Sequence, residues 1–536
     1  MTNPEHPSGP DAAAQTPPLD DGLTWTRRFA GGLRNDLRRR LPLYLDDYKQ
    51  GIHPKVLAST LFLFFACLAN AIAFGGLTEV VTNGQIGVSE MILATAVGGV
   101  VFAVFGGQPL TILGGTGPIV IFTGLLYMAC EDLEIDFLST YAWTGLWSGG
   151  FLVLLSVCDA SALMRFFTRF TDEIFAALIA VIFVVEAVKD MALPFTEVEA
   201  GGDYSPALLG MVLSLGTYLV SKQLKTAAQT RFLWEGMRNF LSDFGPAIAI
   251  AAMTGVALTM PSIELAAPKI PTEFGTTSGR PWVVDLFAVP TWAIFAAALP
   301  ALMATILLFL DQNITTRLVN SPTNKLAKGP AYHLDLLVVG LIIAACSLLA
   351  LPWIVAATVH ALNHVRSLAT VKVVEVGGVK KEVIDSVREN RVSGLSIHLL
   401  IGVSILFLGL IKMIPMSVLF GLFLFMGFNT LGGNQFWDRV TLWVTDPKLY
   451  PQTHYVTVVR HAKIHLFTAV QAGALVALWI LKTSKVGILF PVLIALLVPL
   501  RILLGRFYSD AELHALDAEE ELEQIASDKI GGDLHS

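Results

Sequence analysis

The sequence predicts an all-α polytopic membrane protein with about fourteen transmembrane helices. Of its 536 residues, 54% are hydrophobic and only 15% are charged, whereas soluble domains carry about 25% charged residues. Apolar runs of about 20 residues, the length that crosses a bilayer as an α-helix, recur along the chain. The basic residues collect in alternate loops between these runs, as the positive-inside rule expects of cytoplasmic loops. These three observations set the fold class.

The apolar segments follow one another from residue 51 onward, with centres near residues 64, 96, 120, 150, 180, 213, 250, 303, 341, 360, 402, 422, 472 and 494. Before them, residues 1–50 form a tail whose basic stretch WTRRFAGGLRNDLRRRL is predicted to lie on the cytoplasmic membrane surface, or else only to stop at the membrane face. The first half of the segments occupies residues 51–262 and the second half residues 291–507. An external loop at 263–290 separates them, and an acidic tail follows at 508–536. An even number of crossings places both termini in the cytoplasm.

Two of the segments, the third and the tenth, are interrupted by glycine or proline. The third contains GGTGP at residues 114–118, and the tenth contains Pro352, with a helix predicted to begin near Trp353. Non-helical backbone at membrane depth is tolerated only where it lines a cavity or is buried in protein. Interruptions at matching positions in two halves are typical of transporters built from inverted repeats, here of seven helices each. The alternative is ordinary kinking, since glycine and proline are frequent in membrane helices.

Two broken helices whose N-termini meet near the bilayer midplane would form an anion site from backbone alone. Each helix N-terminus carries about half a positive charge and N–H groups without partners. The backbone N–H groups near Thr116, Gly117 and Ala357 are therefore predicted to bind an anion.

Asp311 is a carboxylate at the end of the apolar run TWAIFAAALPALMATILLFL. An acid at membrane depth costs about 2.5–3.5 kcal/mol and is by default a candidate functional residue. Thr315 follows at a spacing that shares a helix face, and Thr358 belongs to the tenth segment. Because hard cations prefer oxygen ligands, these three residues are predicted to bind sodium, with a role as proton carrier open for Asp311. The alternative is a helix that ends one turn early, with Asp311 in headgroup water.

Other classes of function lack their motifs. GGTGP does not end in the Lys and Ser/Thr of a phosphate loop, and no Gly-x-Ser-x-Gly elbow occurs. His360 and His364 have zinc-ligand spacing, but no third ligand follows them. The prediction is therefore a protein that is not an enzyme, with no cofactor, no metal other than sodium and no nucleic-acid partner.

Ordered segments from about residue 50 to about residue 515 resemble the bicarbonate transporter family of solute carriers, which includes anion exchangers and sodium–bicarbonate cotransporters. They include AIAFGGL, GVSEMILATAV, GGQPLTILGGTGPIVIF, TDEIFAALIAVIF, DQNITT, LPWIVAATV, IPMSVLFGLFLFMG and HLFTAVQ. The resemblance implies two inverted repeats, a core domain and a gate domain, and a homodimer. Because the chain lacks the large cytoplasmic domain of animal members, it is expected to be a bacterial relative in the inner membrane.

Two positions separate the subclasses of this family. Sodium-coupled members resemble this chain in having Asp, Thr and Thr where Asp311, Thr315 and Thr358 stand. Sodium-independent exchangers have a glutamate at the position of Asp311 and an arginine at that of His360. The resemblance therefore implies sodium-coupled symport of bicarbonate or carbonate by alternating access, with chloride–bicarbonate exchange and borate transport as alternatives. His360 is either a neutral core histidine or, when protonated, a partial substitute for that arginine.

Overall fold

The computed structural model describes residues 22–198, 202–271, 274–376, 379–451 and 453–518, and this part of the chain is mostly helical. Its first half contains α1 (Gly31–Arg40), α2 (Tyr44–Lys49), α3 (Pro54–Val81), α4 (Val88–Phe105), β1 (Leu113–Gly114), α5 (Gly117–Asp132), α6 (Phe137–Val157), α7 (Arg169–Glu197), α8 (Ser205–Lys225) and α9 (Glu235–Leu258).

The second half contains α10 (Thr291–Ala296), α11 (Ala298–Val319), α12 (Tyr332–Leu348), β2 (Val355–Ala356), α13 (Thr358–Leu368), β3 (Ala369–Val376), β4 (Val379–Val387), α14 (Val392–Ser404), α15 (Leu408–Ile411), α16 (Met416–Leu431), α17 (Gln435–Thr441), α18 (His454–Val458), α19 (His461–Thr483), α20 (Phe490–Ala495), α21 (Leu497–Leu504) and α22 (Asp510–Asp517).

Among the described residues, eight helical stretches are long and apolar enough to cross a membrane, or up to ten if each of two bent helix pairs is counted as one span. Every predicted segment centre falls inside a helix. However, α5, α12 and α13 have only 16, 17 and 11 residues. At 1.5 Å per residue, each is shorter than the roughly 30 Å hydrocarbon core. A count of fourteen crossings therefore stays a prediction.

The expectation of an all-α protein is wrong in two places, where short strand pairs occur. β1 pairs with β2, and β3 pairs with β4 in an antiparallel hairpin. The signal for the hairpin was present, because valines are interspersed with charged residues on both sides of Gly377 and Gly378.

The second interrupted helix begins at Thr358, not near Trp353 as predicted. The backbone N–H of Trp353 donates to the Tyr141 hydroxyl at 3.2 Å, and its indole N–H donates to Ser347 Oγ at 2.9 Å. Its ring also stacks on Tyr141, with the centroids 4.4 Å apart. These contacts to α6 and α12 hold Trp353 in the non-helical segment that leads into β2.

The helices pack in two groups that face each other. In the first, α6 packs on α11 and α12, while α4 packs on α3 and α14. In the second, α16 packs on α7 and α8, α8 packs on α9, and α19 packs on α7. We refer to α3–α6 with α11–α14 as the core group and to α7–α9 with α16–α21 as the gate group. Glycines allow the closest approaches, since a Cβ on Gly149 of α6 would lie 2.7 Å from the Gly340 carbonyl oxygen of α12.

Candidate functional site

The strand pair β1–β2 brings the N-termini of α5 and α13 together inside the core group. Leu113 lies opposite Ala356, and Gly114 lies opposite Val355. Thr116 and Ala357 are the N-cap residues of the two helices, and both have extended backbone conformations. The sequence prediction that these two interruptions share one site is therefore matched by their positions in the fold.

The strand pair also decides which backbone N–H groups remain available. Ala357 N–H donates to the Ile112 carbonyl oxygen at 2.9 Å, so the predicted role of this group in anion binding must be revised. Pro118 in the first turn of α5 has no N–H. The first N–H groups of a helix have no acceptor within it, which leaves Gly117 and Ile119 at the start of α5 and Thr358 with the next two residues at the start of α13.

Gly117 is packed too closely to carry a side chain. A Cβ at this position would lie 2.9 Å from Cε1 of Phe183 in α7. Phe183 packs with Phe74 of α3 and Phe423 of α16, with ring centroids 5.5–5.6 Å apart within this trio. The trio connects the core group, through Phe74, with the gate group beside the start of α5.

Asp311 lies within α11, and the helix continues through Val319. The alternative in which the helix ends early and Asp311 reaches headgroup water is therefore wrong. Its side chain is 6% exposed, and its Oδ2 accepts a hydrogen bond from Thr116 Oγ1 at 2.7 Å. This contact joins the buried carboxylate to the N-cap of α5.

The two threonines of the predicted cation site contact each other. Thr315 Oγ1 and Thr358 Oγ1 are 2.6 Å apart, and Thr315 Oγ1 lies 3.2 Å from the Ala356 carbonyl oxygen. α11 therefore contacts α5 through Asp311 and contacts β2 and α13 through Thr315. The predicted residues converge on one region, with oxygen atoms from both helix ends.

Two further polar residues shape this region and were not predicted. Gln312 Oε1 accepts from the Ala356 N–H at 3.0 Å, and Asn70 Nδ2 donates to the Gly115 carbonyl oxygen at 3.2 Å. Both side chains are buried. The available signal was an amide side chain inside or beside an apolar run, which must find a hydrogen-bond partner at that depth.

His360 lies at the start of α13 and lines the same cavity as Asp311 and Thr358. Its Nε2 is 3.2 Å from the Ala66 carbonyl oxygen of α3. Since a carbonyl only accepts hydrogen bonds, this contact requires a hydrogen on Nε2, which a neutral ring provides.

A cavity of about 1750 Å³ leads away from the site. Besides the site residues, its lining includes residues of the face that carries α1 and α22, among them Lys325, Gly329, His514 and Asp517. Arg317 of α11 pairs with Asp172 of α7 along this path, joining the core and gate groups. In this conformation the cavity therefore extends from the site toward the face of α1 and α22.

Comparison with known families assigns the chain. A model of the "HCO3- transporter integral membrane domain" matches residues 28–205 and 203–521. The chain is 37% identical to "Anion exchange protein 3" of Homo sapiens over 548 residues, which cover 95% of this chain and 44% of that protein. It is 35% identical to the "Band 3 anion transport protein" of Rattus norvegicus over 522 residues, which cover 94% of this chain and 56% of that protein. The chain thus spans about half the length of these relatives.

Solved transporter structures share the fold at low sequence identity. The transmembrane domain of the cyanobacterial bicarbonate transporter BicA matches with a TM-score of 0.53 and 17% identity, over 79% of this chain and 98% of that domain. The structure of SLC26A9 matches with a TM-score of 0.58 and 13% identity, over 94% of this chain and 73% of that protein. The fold is that of a mostly helical, multi-pass membrane transporter with inverted repeats. Because the model of the integral membrane domain matches nearly all of the sequence, the chain belongs to the HCO3- transporter family.

Proposed function

We propose that the protein moves bicarbonate or carbonate together with sodium by alternating access. Asp311, Thr315 and Thr358 bind sodium, and the N–H groups at the starts of α5 and α13 bind the anion. The observation that carries this proposal is the position of the Asp311 carboxylate, which is buried and bonded to Thr116 at the N-cap of α5.

A bound cation would stabilise the buried carboxylate of Asp311. Among the described residues, no basic side chain forms an ion pair with this carboxylate. A buried charge without a partner is strongly unfavourable, so a bound sodium ion stabilises the ionised form. The hydroxyls of Thr315 and Thr358 add neutral oxygen ligands and no further charge, which suits a cation of single charge.

Coupling follows from the electrostatics of the filled site. The anion binds at two helix N-termini and beside the sodium ion, so each ion lowers the desolvation cost of the other. With the Asp311 carboxylate counted at −1 and each helix N-terminus at about +0.5, a site that holds only sodium or only bicarbonate is charged, and it moves across the membrane at a higher cost than the doubly loaded site. We infer that the core group carries both ions past the gate group, with the cavity as the path on the face of α1 and α22.

The direct test is uptake of radioactive sodium into proteoliposomes, with and without bicarbonate at fixed pH. We expect bicarbonate to stimulate sodium uptake in the wild type and Asp311→Asn to abolish the stimulation. Asp243→Asn is the matched control, because Asp243 lines the same cavity outside the site. Sodium uptake that stays dependent on bicarbonate in Asp311→Asn would sink the assignment of the coupling residue.

Sodium-independent anion exchange is the second candidate. It is favoured by the names of the relatives, which are 35–37% identical and are called anion exchange or anion transport proteins. In that case, bicarbonate flux would require chloride on the opposite side of the membrane and no sodium. His360 would then be the residue to vary, because it stands where the exchangers have arginine.

Three features of the cellular setting belong to the same proposal. We infer a bacterial inner-membrane protein, with both termini in the cytoplasm, that forms a homodimer in contact with lipid. Accessibility of a cysteine introduced at exposed Phe29 or Phe507, measured in inside-out and right-side-out vesicles, tests the orientation.

A further inference from the structure

A buried histidine of α14, His398, lies directly against β1. Its Nε2 is 3.3 Å from the Leu113 carbonyl oxygen, and its Nδ1 is 2.7 Å from the Gly394 carbonyl oxygen. The side chain is 2% exposed. Leu113 pairs with Ala356 and lies shortly before Thr116, the N-cap residue of α5. The ring therefore contacts the backbone that holds both helix N-termini in place.

Both ring nitrogens of His398 face groups that only accept hydrogen bonds. A neutral imidazole has a single N–H, so one nitrogen would direct its lone pair toward a carbonyl oxygen. An imidazolium has two N–H groups and can donate to Leu113 and Gly394 together. The two hydrogen bonds favour the protonated ring, whereas burial opposes its charge, so a counter-charge is needed to stabilise it.

His364 of α13 provides an internal comparison. Its Nδ1 is 2.9 Å from the Leu110 carbonyl oxygen, and its Nε2 is 2.7 Å from the Ser393 hydroxyl. A hydroxyl can donate as well as accept, so a neutral ring satisfies both contacts of His364. The two buried histidines thus differ in the protonation state that their partners require.

A slot in α4 holds the His398 ring in this orientation. A Cβ on Gly99 would overlap the His398 imidazole, so only glycine leaves room for the ring at this crossing of α4 and α14. The ring is therefore confined between α4, β1 and its own helix.

The titratable groups on the neighbouring elements are mostly engaged elsewhere. On α3 and α4, Lys55 donates to the Ala369 carbonyl, Glu79 accepts from the Lys269 N–H, and Glu90 accepts from Gly87 and Thr277. Cys67 of α3 is buried. His398 acts electrostatically on His360 and His364 of α13, and the three rings repel one another when they are protonated. Among these described groups, no acid forms an ion pair with His398.

We propose that His398 is a proton-binding site coupled to anion binding. When the ring takes a proton from water, the imidazolium donates to the Leu113 and Gly394 carbonyls and places a positive charge behind the N-termini of α5 and α13. An anion bound at those N-termini stabilises this charge, and by reciprocity the protonated protein binds the anion more tightly. This inference rests on the anion site of the proposed function and holds for symport and for exchange.

Transport kinetics test the coupling. In proteoliposomes, the KM for bicarbonate is measured from pH 6.5 to pH 8.5, and the CO2 pressure sets each bicarbonate concentration of the series. We expect KM in the wild type to rise by up to about tenfold per pH unit above the pKa of His398, as one coupled proton requires. In the neutral variants His398→Gln and His398→Asn, KM should change by less than about twofold per pH unit. In His364→Gln, the pH dependence of KM should match that of the wild type. All variants are measured in the same solutions, so that carbonate speciation at each pH is identical among them.

Nuclear magnetic resonance of the protein labelled with ¹⁵N-histidine supplies a readout that does not depend on transport. We expect an imidazolium signal that grows as pH falls from 8.5 to 6 in liposomes with bicarbonate, is lost in His398→Gln and is retained in His364→Gln. A neutral His398 ring from pH 6 to pH 8.5, or an unchanged KM profile in His398→Gln, overturns the proposal. If the wild type moved no bicarbonate at all, the proposed function would fail, and the spectrum would still decide whether His398 binds the proton.

Discussion

The N-terminal turns of α5 and α13 are held side by side by β1–β2, but their chemistry differs. α5 begins with Gly117 and Pro118, so its first turn has fewer N–H groups, and it is packed against Phe183. α13 begins with Thr358 and Val359 and continues to His360, all of which have N–H groups and line the cavity.

The two helix ends occupy matching positions in the inverted repeats, yet they have different roles. The α5 end has a fixed position against α7 and holds Asp311 through Thr116. The α13 end supplies more donors, a hydroxyl and the contact with Thr315. Matching positions in the two repeats thus provide the same backbone shape, while their side chains divide the predicted site into a packed half and a ligand-rich half.

The largest expected effect comes from breaking the packed half with Gly117→Ala. The added Cβ would lie 2.9 Å from Phe183, and overpacking of this kind typically costs about 1–3 kcal/mol. We expect bicarbonate flux to fall at least tenfold in proteoliposomes with an equal amount of folded protein.

The matched control is Gly114→Ala, where the nearest atom to the new Cβ would lie 3.4 Å away, an ordinary contact. This variant should keep at least half of the flux. Adding Phe183→Leu to Gly117→Ala should restore part of the lost flux. Full activity of Gly117→Ala alone would show that close packing at α5 is dispensable.

A smaller effect is expected from changing the ligand-rich half with Thr358→Val. The variant keeps the shape of the side chain but loses the hydroxyl that contacts Thr315 at 2.6 Å. Since a hydrogen bond or neutral ligand of this kind contributes about 0.5–1.5 kcal/mol, the KM for sodium should rise up to about tenfold. Thr358→Ser retains the hydroxyl and should stay within about twofold of the wild type. A sodium KM that is unchanged in Thr358→Val would remove this residue from the cation site.

The smallest effect is expected at α12, whose N-terminus differs from those of α5 and α13, and it concerns thermal stability. Asp36 of α1 accepts from the N–H groups of His333 and Leu334 at 2.8 and 3.1 Å, whereas α5 and α13 have no side-chain cap in the described chain. Burial raises the pKa of Asp36 from 3.8 to about 7, against the opposing effect of these N–H groups and of Arg39.

The sign of the pH effect follows from this raised pKa. The folded protein binds the Asp36 proton more tightly than the unfolded chain does, so the stabilising contribution is complete below about pH 4 and is lost as pH rises through about 7. Between pH 8 and pH 5, the melting temperature of the wild type should therefore rise more than that of Asp36→Asn. Equal shifts in the two proteins would mean that Asp36 does not titrate in this range.

Long-range pairing limited what the sequence could predict. The apolar runs located the helices, because burial in lipid demands a helix wherever such a run is long enough. Asp311, Thr315, Thr358 and the GGTGP break stood out because polar or flexible residues are costly at that depth. However, no local pattern reveals that Leu113 pairs with Ala356, and this pairing takes the Ala357 N–H away from the predicted anion site.

The same limit applies to the charged residues at the face of α1. Arg40, Asp47, Lys328, Glu389 and Arg391 form a buried network that joins α1 and α2 to the segments before α12 and α14. In the sequence these residues belonged to separate basic or acidic loops. These residues contact one another only because the whole core group packs together. The number of charges in each loop does not predict that packing.

The strand pair β1–β2 also sets the order in which this protein can mature. During synthesis, β1 is complete long before the ribosome reaches β2, and an unpaired backbone polar group in lipid costs several kcal/mol. Until β2 is made, the unpaired β1 must therefore be shielded from lipid by the translocon or by the helices of the first half. A substitution that prevents β2 from pairing, although distant in the sequence, would leave the first half incomplete and expose it to membrane quality-control proteases.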